Sequence, residues 1–339
     1  MLSSPSLTRR VPRLVYSTYL GGSGIDFTYG GVAVDSAGDA YLAGVTDSRS
    51  FPITTGAFDT NYDGFDDVFV TKISEMAPPS ALIPCPSKLL NIATRMRVLT
   101  GDSALICGFI ITGNEPKNLI IRGIGPSLTN IPGALANPTL ELFDSSQTLL
   151  GSNDDWKSNL AEVEATTIPP THDFESAIVI TLAPGPYTAV LRGQNNGTGI
   201  GVVEVYDLNA QADSTLANIS SPGFVDTGDN AMIGGFIVGA GSSGARVLIR
   251  GIGPSLSSFF PNPLENPMLE LRNADGSLIR DNDDWRDSQE AEIQDTTIPP
   301  SNNLESAIIA SVGNGNYTAV LRGKDNTTGV AVVEVYNLQ

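Results

Sequence analysis

The chain has 339 residues, 19 Lys and Arg against 37 Asp and Glu, and a formal net charge of -18. A surface this acidic repels nucleic acid and anionic lipid, so neither is an expected partner. No run of about 18 apolar residues is present, which excludes a membrane-spanning helix. The 35 glycines, 22 prolines and 17% charged residues favour short strands joined by tight turns over long helices.

In chain order, the first thirteen residues carry Arg9, Arg10 and Arg13 with no apolar stretch after them, so no signal peptide is recognisable. Residues 15 to 74 read as short alternating strands, with Asp35-Ser36-Ala37-Gly38-Asp39 as a hairpin turn. The marks Tyr19-Leu20-Gly21-Gly22-Ser23-Gly24, Val34-Asp35-Ser36-Ala37-Gly38-Asp39-Ala40-Tyr41, Phe51-Pro52, Gly56-Ala57-Phe58 and Asp67-Val68-Phe69-Val70-Thr71-Lys72 are distinctive. Together they resemble the SBBP repeat, a bacterial seven-bladed β-propeller repeat. The resemblance implies a propeller-like blade over residues 1–75. Such repeats come in tandem to close a ring, whereas this sequence carries one.

Residues 76–88 form a Pro-rich linker that contains Cys85. The rest of the chain is one module written twice. Leu119-Ile120-Ile121-Arg122-Gly123-Ile124-Gly125-Pro126-Ser127-Leu128 returns as Val247-Leu248-Ile249-Arg250-Gly251-Ile252-Gly253-Pro254-Ser255-Leu256. Asn153-Asp154-Asp155-Trp156 returns as Asn282-Asp283-Asp284-Trp285, and Tyr187-Thr188-Ala189-Val190-Leu191-Arg192-Gly193 as Tyr317-Thr318-Ala319-Val320-Leu321-Arg322-Gly323. The offset drifts only from 128 to 130, as when two copies of one fold gain single-residue insertions. The expected modules span residues 89–209 and 216–339, with a short joint at 210–215. Each holds β-rich runs such as Thr188-Ala189-Val190-Leu191 and Val202-Val203-Glu204-Val205-Tyr206 between turn clusters. The expected fold class is therefore all-β: one propeller-like blade followed by two homologous, jelly-roll-like β-sandwich modules.

The back half of each module, with Leu140-Glu141-Leu142-Phe143-Asp144, Asn153-Asp154-Asp155 and Ala183-Pro184-Gly185-Pro186-Tyr187, resembles the pre-peptidase C-terminal domains of secreted bacterial proteins. Clustered carboxylate and amide oxygens after a strand suit a hard cation, and that resemblance implies calcium. Asn153, Asp154, Asp155, Asn282, Asp283 and Asp284 are thus candidate Ca²⁺ ligands. The competing reading is a turn in which these side chains cap backbone amides while Trp156 and Trp285 anchor the loop.

Other residue types point to framework. Tyr187 and Tyr317 follow turns of the tyrosine-corner kind. Arg192 with Glu204, and Arg322 with Glu334, are expected to pair across neighbouring strands and hold register. Glu175 and Glu305 sit in matching contexts, but two identical tandem active sites are not expected from them. The Gly-Ile-Gly-Pro-Ser block lacks the third glycine and lysine of a phosphate loop and reads as a corner. Only His172 offers an imidazole, and the second module has Asn302 there, so a catalytic triad lacks its base. Cys85 and Cys107 would form a disulfide in an oxidising compartment; a buried free thiol is the alternative. The expectation is a non-enzymatic, secreted or cell-surface structural or adhesion protein, extracellular, whose partners are its own copies or other surface components. The alternative is an accessory portion of a larger secreted hydrolase that binds carbohydrate or substrate.

Overall fold

The computed structural model of the chain describes residues 20–28, 32–35, 39–54, 57–62, 64–73 and 86–338. It is all-β and separates into two compact units, Met1–Ile83 and Pro84–Gln339. In the first unit, β1 (Asp26–Thr28), β2 (Ala33–Val34), β3 (Ala40–Thr46) and β4 (Asp67–Ile73) form one antiparallel sheet. It has three rows, because β1 and β2 lie end to end along the same side of β3. One face is packed: the Phe51 and Phe69 rings lie 4.6 Å apart, Phe69 is buried, and Gly44 leaves room for that ring. Asp26 holds this end together, accepting from Thr46 Oγ1, Ser48 Oγ and the Gly22 amide. These bonds, the Thr46 hydroxyl foremost, hold its carboxyl below the usual range.

In the second unit, repeat one supplies β5 (Lys88–Val98), β6 (Leu105–Gly113), β7 (Lys117–Ile124), β8 (Pro138–Asp144), β9 (Leu149–Asn153), α1 (Leu160–Ala165), β10 (Ser176–Leu182), β11 (Gly185–Gly193) and β12 (Gly199–Asp207). Repeat two supplies β13 (Ser214–Val225), β14 (Met232–Gly239), β15 (Ala245–Ile252), β16 (Pro267–Asn273), β17 (Leu278–Asn282), α2 (Glu290–Asp295), β18 (Ser306–Val312), β19 (Gly315–Gly323) and β20 (Gly329–Asn337). Within repeat one, one layer runs β5-β12-β7-β10 and the other β6-β11-β8-β9, which is jelly-roll connectivity. Repeat two reproduces it as β13-β20-β15-β18 and β14-β19-β16-β17.

The two rolls are fused through both layers. β5 pairs with β14 and β13 with β6, so the unit consists of two eight-stranded sheets, each half from one repeat and half from the other. A single apolar core runs through both, from Leu89, Phe109 and Leu191 to Phe236, Leu321 and Val335. Period-two alternation drives this: in β5, Ile92, Thr94, Met96 and Val98 all point inward. The joint after β12 is held by two lysines. Lys88 Nζ donates to the carbonyls of Ala210, Ala212 and Ser214, and Lys117 Nζ, fully buried, donates to Asp207 and to Asn209 O.

Candidate functional site

The outer face of each roll carries a small second core. In repeat one, Ile120, Ala177, Val163 and Trp156 pack with Tyr206 and Ile168, so the segment around α1 covers β7, β10 and β12. In repeat two, Leu248, Ala307, Ile293 and Trp285 do the same with Tyr336 and Ile298. Several polar residues that both repeats share gather around these covers.

The Gly-Ile-Gly-Pro-Ser corner is an anion cradle, and its anion is the chain's own. Glu175, fully buried, accepts at one oxygen from the Gly125 amide (3.1 Å), the Ser127 amide (2.9 Å) and the Ser127 hydroxyl, and at the other from the His172 amide (3.2 Å). Glu305 repeats this with Gly253 (3.2 Å), Ser255 (3.0 Å and its hydroxyl) and Asn302 (3.1 Å). The second glycine of the motif is needed for close approach, since a Cβ on Gly125 would collide with Leu135 O and one on Gly253 with Leu264 O. The block is the corner expected from sequence, and a buried carboxylate of the same chain fills the amide donors that the corner turns inward.

Behind the corner, Arg122 lies 2.5 Å from Glu204, donates to Ile168 O (2.8 Å) and to Tyr206 Oη (3.2 Å), and stands over the Tyr206 ring at 4.8 Å. Arg250, Glu334, Ile298 and Tyr336 repeat the set. This corrects the expected pairing. Glu204 is served by Arg122 and Glu334 by Arg250, because β11 and β12, like β19 and β20, belong to opposite sheets. Arg192 instead reaches Glu141 at 3.7 Å and caps Gly101 O at 2.5 Å, while Arg322 caps Gly228 O at 2.7 Å. Both tyrosines make corner bonds: Tyr187 donates to Ala183 O (2.8 Å) and Tyr317 to Gly313 O (3.0 Å).

The acidic loops are clasps in the same frame. Asn153 accepts from the Ala177 amide and donates to Asp155 O and Ser158 Oγ; Asn282 accepts from the Ala307 amide and donates to Asp284 O. Both asparagine side chains are therefore engaged within the loop and its neighbouring strand, Asn282 on backbone and Asn153 on backbone and the Ser158 hydroxyl. Trp156 donates through Nε1 to His172 O, and Trp285 to Asn302 O, each at 3.1 Å. His172 Nδ1 accepts from the Phe174 amide as Asn302 Oδ1 does from Leu304, so the single histidine imitates an asparagine turn. Asp154 takes a hydrogen bond from Gln194, whereas Asp283 takes one from Lys324, whose ammonium occupies the corresponding place. Among the described residues, no group of three or more His, Cys, Asp or Glu side chains is arranged to hold a metal ion. Partial burial, more than the neighbouring carboxylates, raises the carboxyls of Asp154 and Asp284 above the usual range. Cys107 is a free thiol at the centre of the core, pushed up to about 12 by burial; Cys85 lies outside the described residues.

Sequence reasoning missed a cavity of about 280 Å³ on the outer face of repeat two, bounded by Ser220, Arg250, Ile252, Ser255, Pro299 and Glu334. Its polar walls are committed inward: Arg250 to Glu334, Ser255 to Glu305, and Ser220 to Glu334 at 3.1 Å. The repeated Arg-Gly block contributes Arg250, Ile252 and Ser255 to it, and Pro299 and Pro300, distant in sequence, complete the lining.

Residues 15–52 match the family model for SBBP, described as Beta-propeller repeat. No curated protein matches the chain. Among solved structures, "Crystal Structure of the STIV MCP" is 12% identical, with 74% of this chain and 93% of that one covered at a TM-score of 0.20. "Structure of PNGF-II in C2 space group" is 10% identical, with 93% and 83% covered at a TM-score of 0.18. Likenesses of that size carry no argument about this chain.

Proposed function

We propose that the protein is a non-enzymatic structural or adhesive component of the cell surface or extracellular space, and that it assembles with its own copies through the N-terminal unit. One observation carries the reading. The register of the first sheet puts Phe27, Tyr41, Val45, Val68 and Val70 on a single face, and Phe27, Val68 and Val70 are 58%, 78% and 78% exposed. A contiguous apolar face on so small a sheet suits association better than exposure to water. The double roll supports the reading from the other side, because its repeated polar groups serve the frame.

The test is light scattering over a concentration series. The full chain should form concentration-dependent oligomers, and deletion of residues 1–75 should remove the association made through that unit. Replacing Val68 and Val70 with lysine should have the same effect within the whole chain. A full chain that stays monomeric at high concentration, with its first unit resistant to protease, would end this reading.

A second reading rests on the cavity beside Arg250. It makes the rolls the accessory, carbohydrate- or substrate-binding portion of a secreted hydrolase, as the likeness to pre-peptidase C-terminal domains suggests, with calcium as a further ligand of the acidic loops. Saccharide titration followed through Trp285 fluorescence tests the first part. A melting temperature unchanged between chelator and excess calcium would remove the second.

A further inference from the structure

The surface through which the two repeats join is built twice from equivalent residues. Where β5 meets β14, Ala93 lies opposite Gly235, Ile92 opposite Phe236, Asn91 opposite Ile237 and, past a one-residue bulge at Leu90, Leu89 opposite Val238. Where β13 meets β6, Ser220 lies opposite Gly108, Ile219 opposite Phe109, Asn218 opposite Ile110 and, past a bulge at Ala217, Leu216 opposite Ile111. The two seams are thus related by an approximate two-fold axis. On it, equivalent residues touch: Thr94 Oγ1 and Ser221 Oγ lie 2.8 Å apart, both buried. A two-fold, self-complementary seam of this kind has the form of a dimer interface. The strand pairs of both seams lie outside the joint residues 208–213, of which Asp213 bonds just past the end of β6 and Ala210 and Ala212 to Lys88 of β5.

Two positions break the symmetry. The counterpart of Met96 is Gly223, and a Cβ there would collide with Met96 Sδ and crowd Met232 Cε. The counterpart of Cys107 is Gly234, whose Cβ would press on Val333. Two copies of repeat one would bring two methionines together at the axis; two copies of repeat two would leave that space empty. Large against small favours the unlike pair.

We propose that this seam is a recognition surface for unlike repeats that works without the covalent joint, so that repeat one of one molecule accepts repeat two of a second copy. Exchanged reciprocally, the repeats give a closed pair of chains; passed from copy to copy, they give an open one. The proposal goes beyond the N-terminal face and does not depend on it.

The experiment uses the full chain with a protease site inserted between Ala210 and Gln211, cut while folded. The cut chain should keep the mass of the uncut one in native buffer. Denatured and refolded with an excess of a cut preparation whose repeat two is tagged, the untagged repeat-one fragment should be recovered with tagged repeat two in equal amounts. The repeat-two fragment lacks the N-terminal unit, so this pairing is read independently of any assembly by that unit. Separation of the fragments in native buffer, refolding of the uncut chain only, or like-with-like pairing would each overturn the proposal. Gly223→Met should lower recovery by about tenfold, and adding Met96→Gly should restore it. If Gly223→Met alone fails to fold, the double variant decides: recovery of folding and pairing is expected, and no recovery refutes the large-against-small basis.

Discussion

Repeat one and repeat two hold the same polar frame at the same points of the roll, while buried apolar positions vary conservatively, as Ile120 and Val163 do against Leu248 and Ile293, and polar differences fall where a side chain meets solvent or the joint. Glu175 and Glu305, Arg122 and Arg250, Trp156 and Trp285 keep identical partners. Gln194 becomes Lys324 at a largely exposed position, and His172 becomes Asn302 while still capping the same turn. Lys117, which reaches into the joint, has Ala245 as its counterpart. The comparison teaches that repetition marks the frame. A group present in both copies with all its hydrogen bonds used inside the chain is there to shape the fold, and differences point to where each copy meets something the other does not.

The sharpest way to break this view is to remove a shared carboxylate. Glu175→Ala and Glu305→Ala each strand three amides and a hydroxyl around a buried corner, so each should cost about 4–5 kcal/mol in denaturant unfolding. The two losses should agree closely. A small cost in one repeat and a large one in the other would mean that the corners are not equivalent frame.

A smaller effect is expected at the joint. Lys117→Ala leaves Asp207 buried without its cation and should cost about 3 kcal/mol. Combining it with Asp207→Asn, which installs the Ala245 and Asn337 pair of repeat two, should recover most of that loss. Urea midpoints of the single and double variants decide the matter, and an additive double variant would contradict the pairing.

The corner tyrosines should show about 1 kcal/mol each. Tyr187→Phe and Tyr317→Phe remove one hydrogen bond to a carbonyl without opening a cavity. Thermal melts of the two variants should shift alike.

The smallest effect is electrostatic. Asp154 and Asp284 have carboxyls raised chiefly by burial. A folded pKa above the unfolded one means that stability from the group is present at low pH and lost as pH rises through the folded value. Asp154→Asn and Asp284→Asn should therefore stabilise at neutral pH, by less than about 0.5 kcal/mol since both groups are largely screened by solvent. The gain should vanish as pH falls toward 4. A gain that grows in acid would reverse the assignment.

Much of this was legible in residues. The doubled motifs marked two equivalent modules, alternating apolar runs marked strands, and the Tyr after a Gly-Pro or Gly-Asn turn marked the corners. The partners of Glu204 and Arg192 were not legible. They are adjacent in sequence, yet a jelly roll sends β11 and β12 to opposite layers, so sequence neighbours face different sheets. The ligand of the Gly-Ile-Gly-Pro-Ser corner was likewise hidden, because Glu175 lies about fifty residues away and reaches it only when β10 folds beside β7.

Local chemistry by itself determined the all-β class, the internal duplication, the turn positions and the acidic exterior, since each follows from side-chain size, charge and period along a few residues. Only the tertiary structure decided that two rolls share both sheets and one core. Strand edges carry no side-chain signature of their partner, so nothing local to β5 names β14 as its neighbour. The same holds for the choice of Met96 against Gly223, which has meaning only across a seam that no stretch of sequence contains.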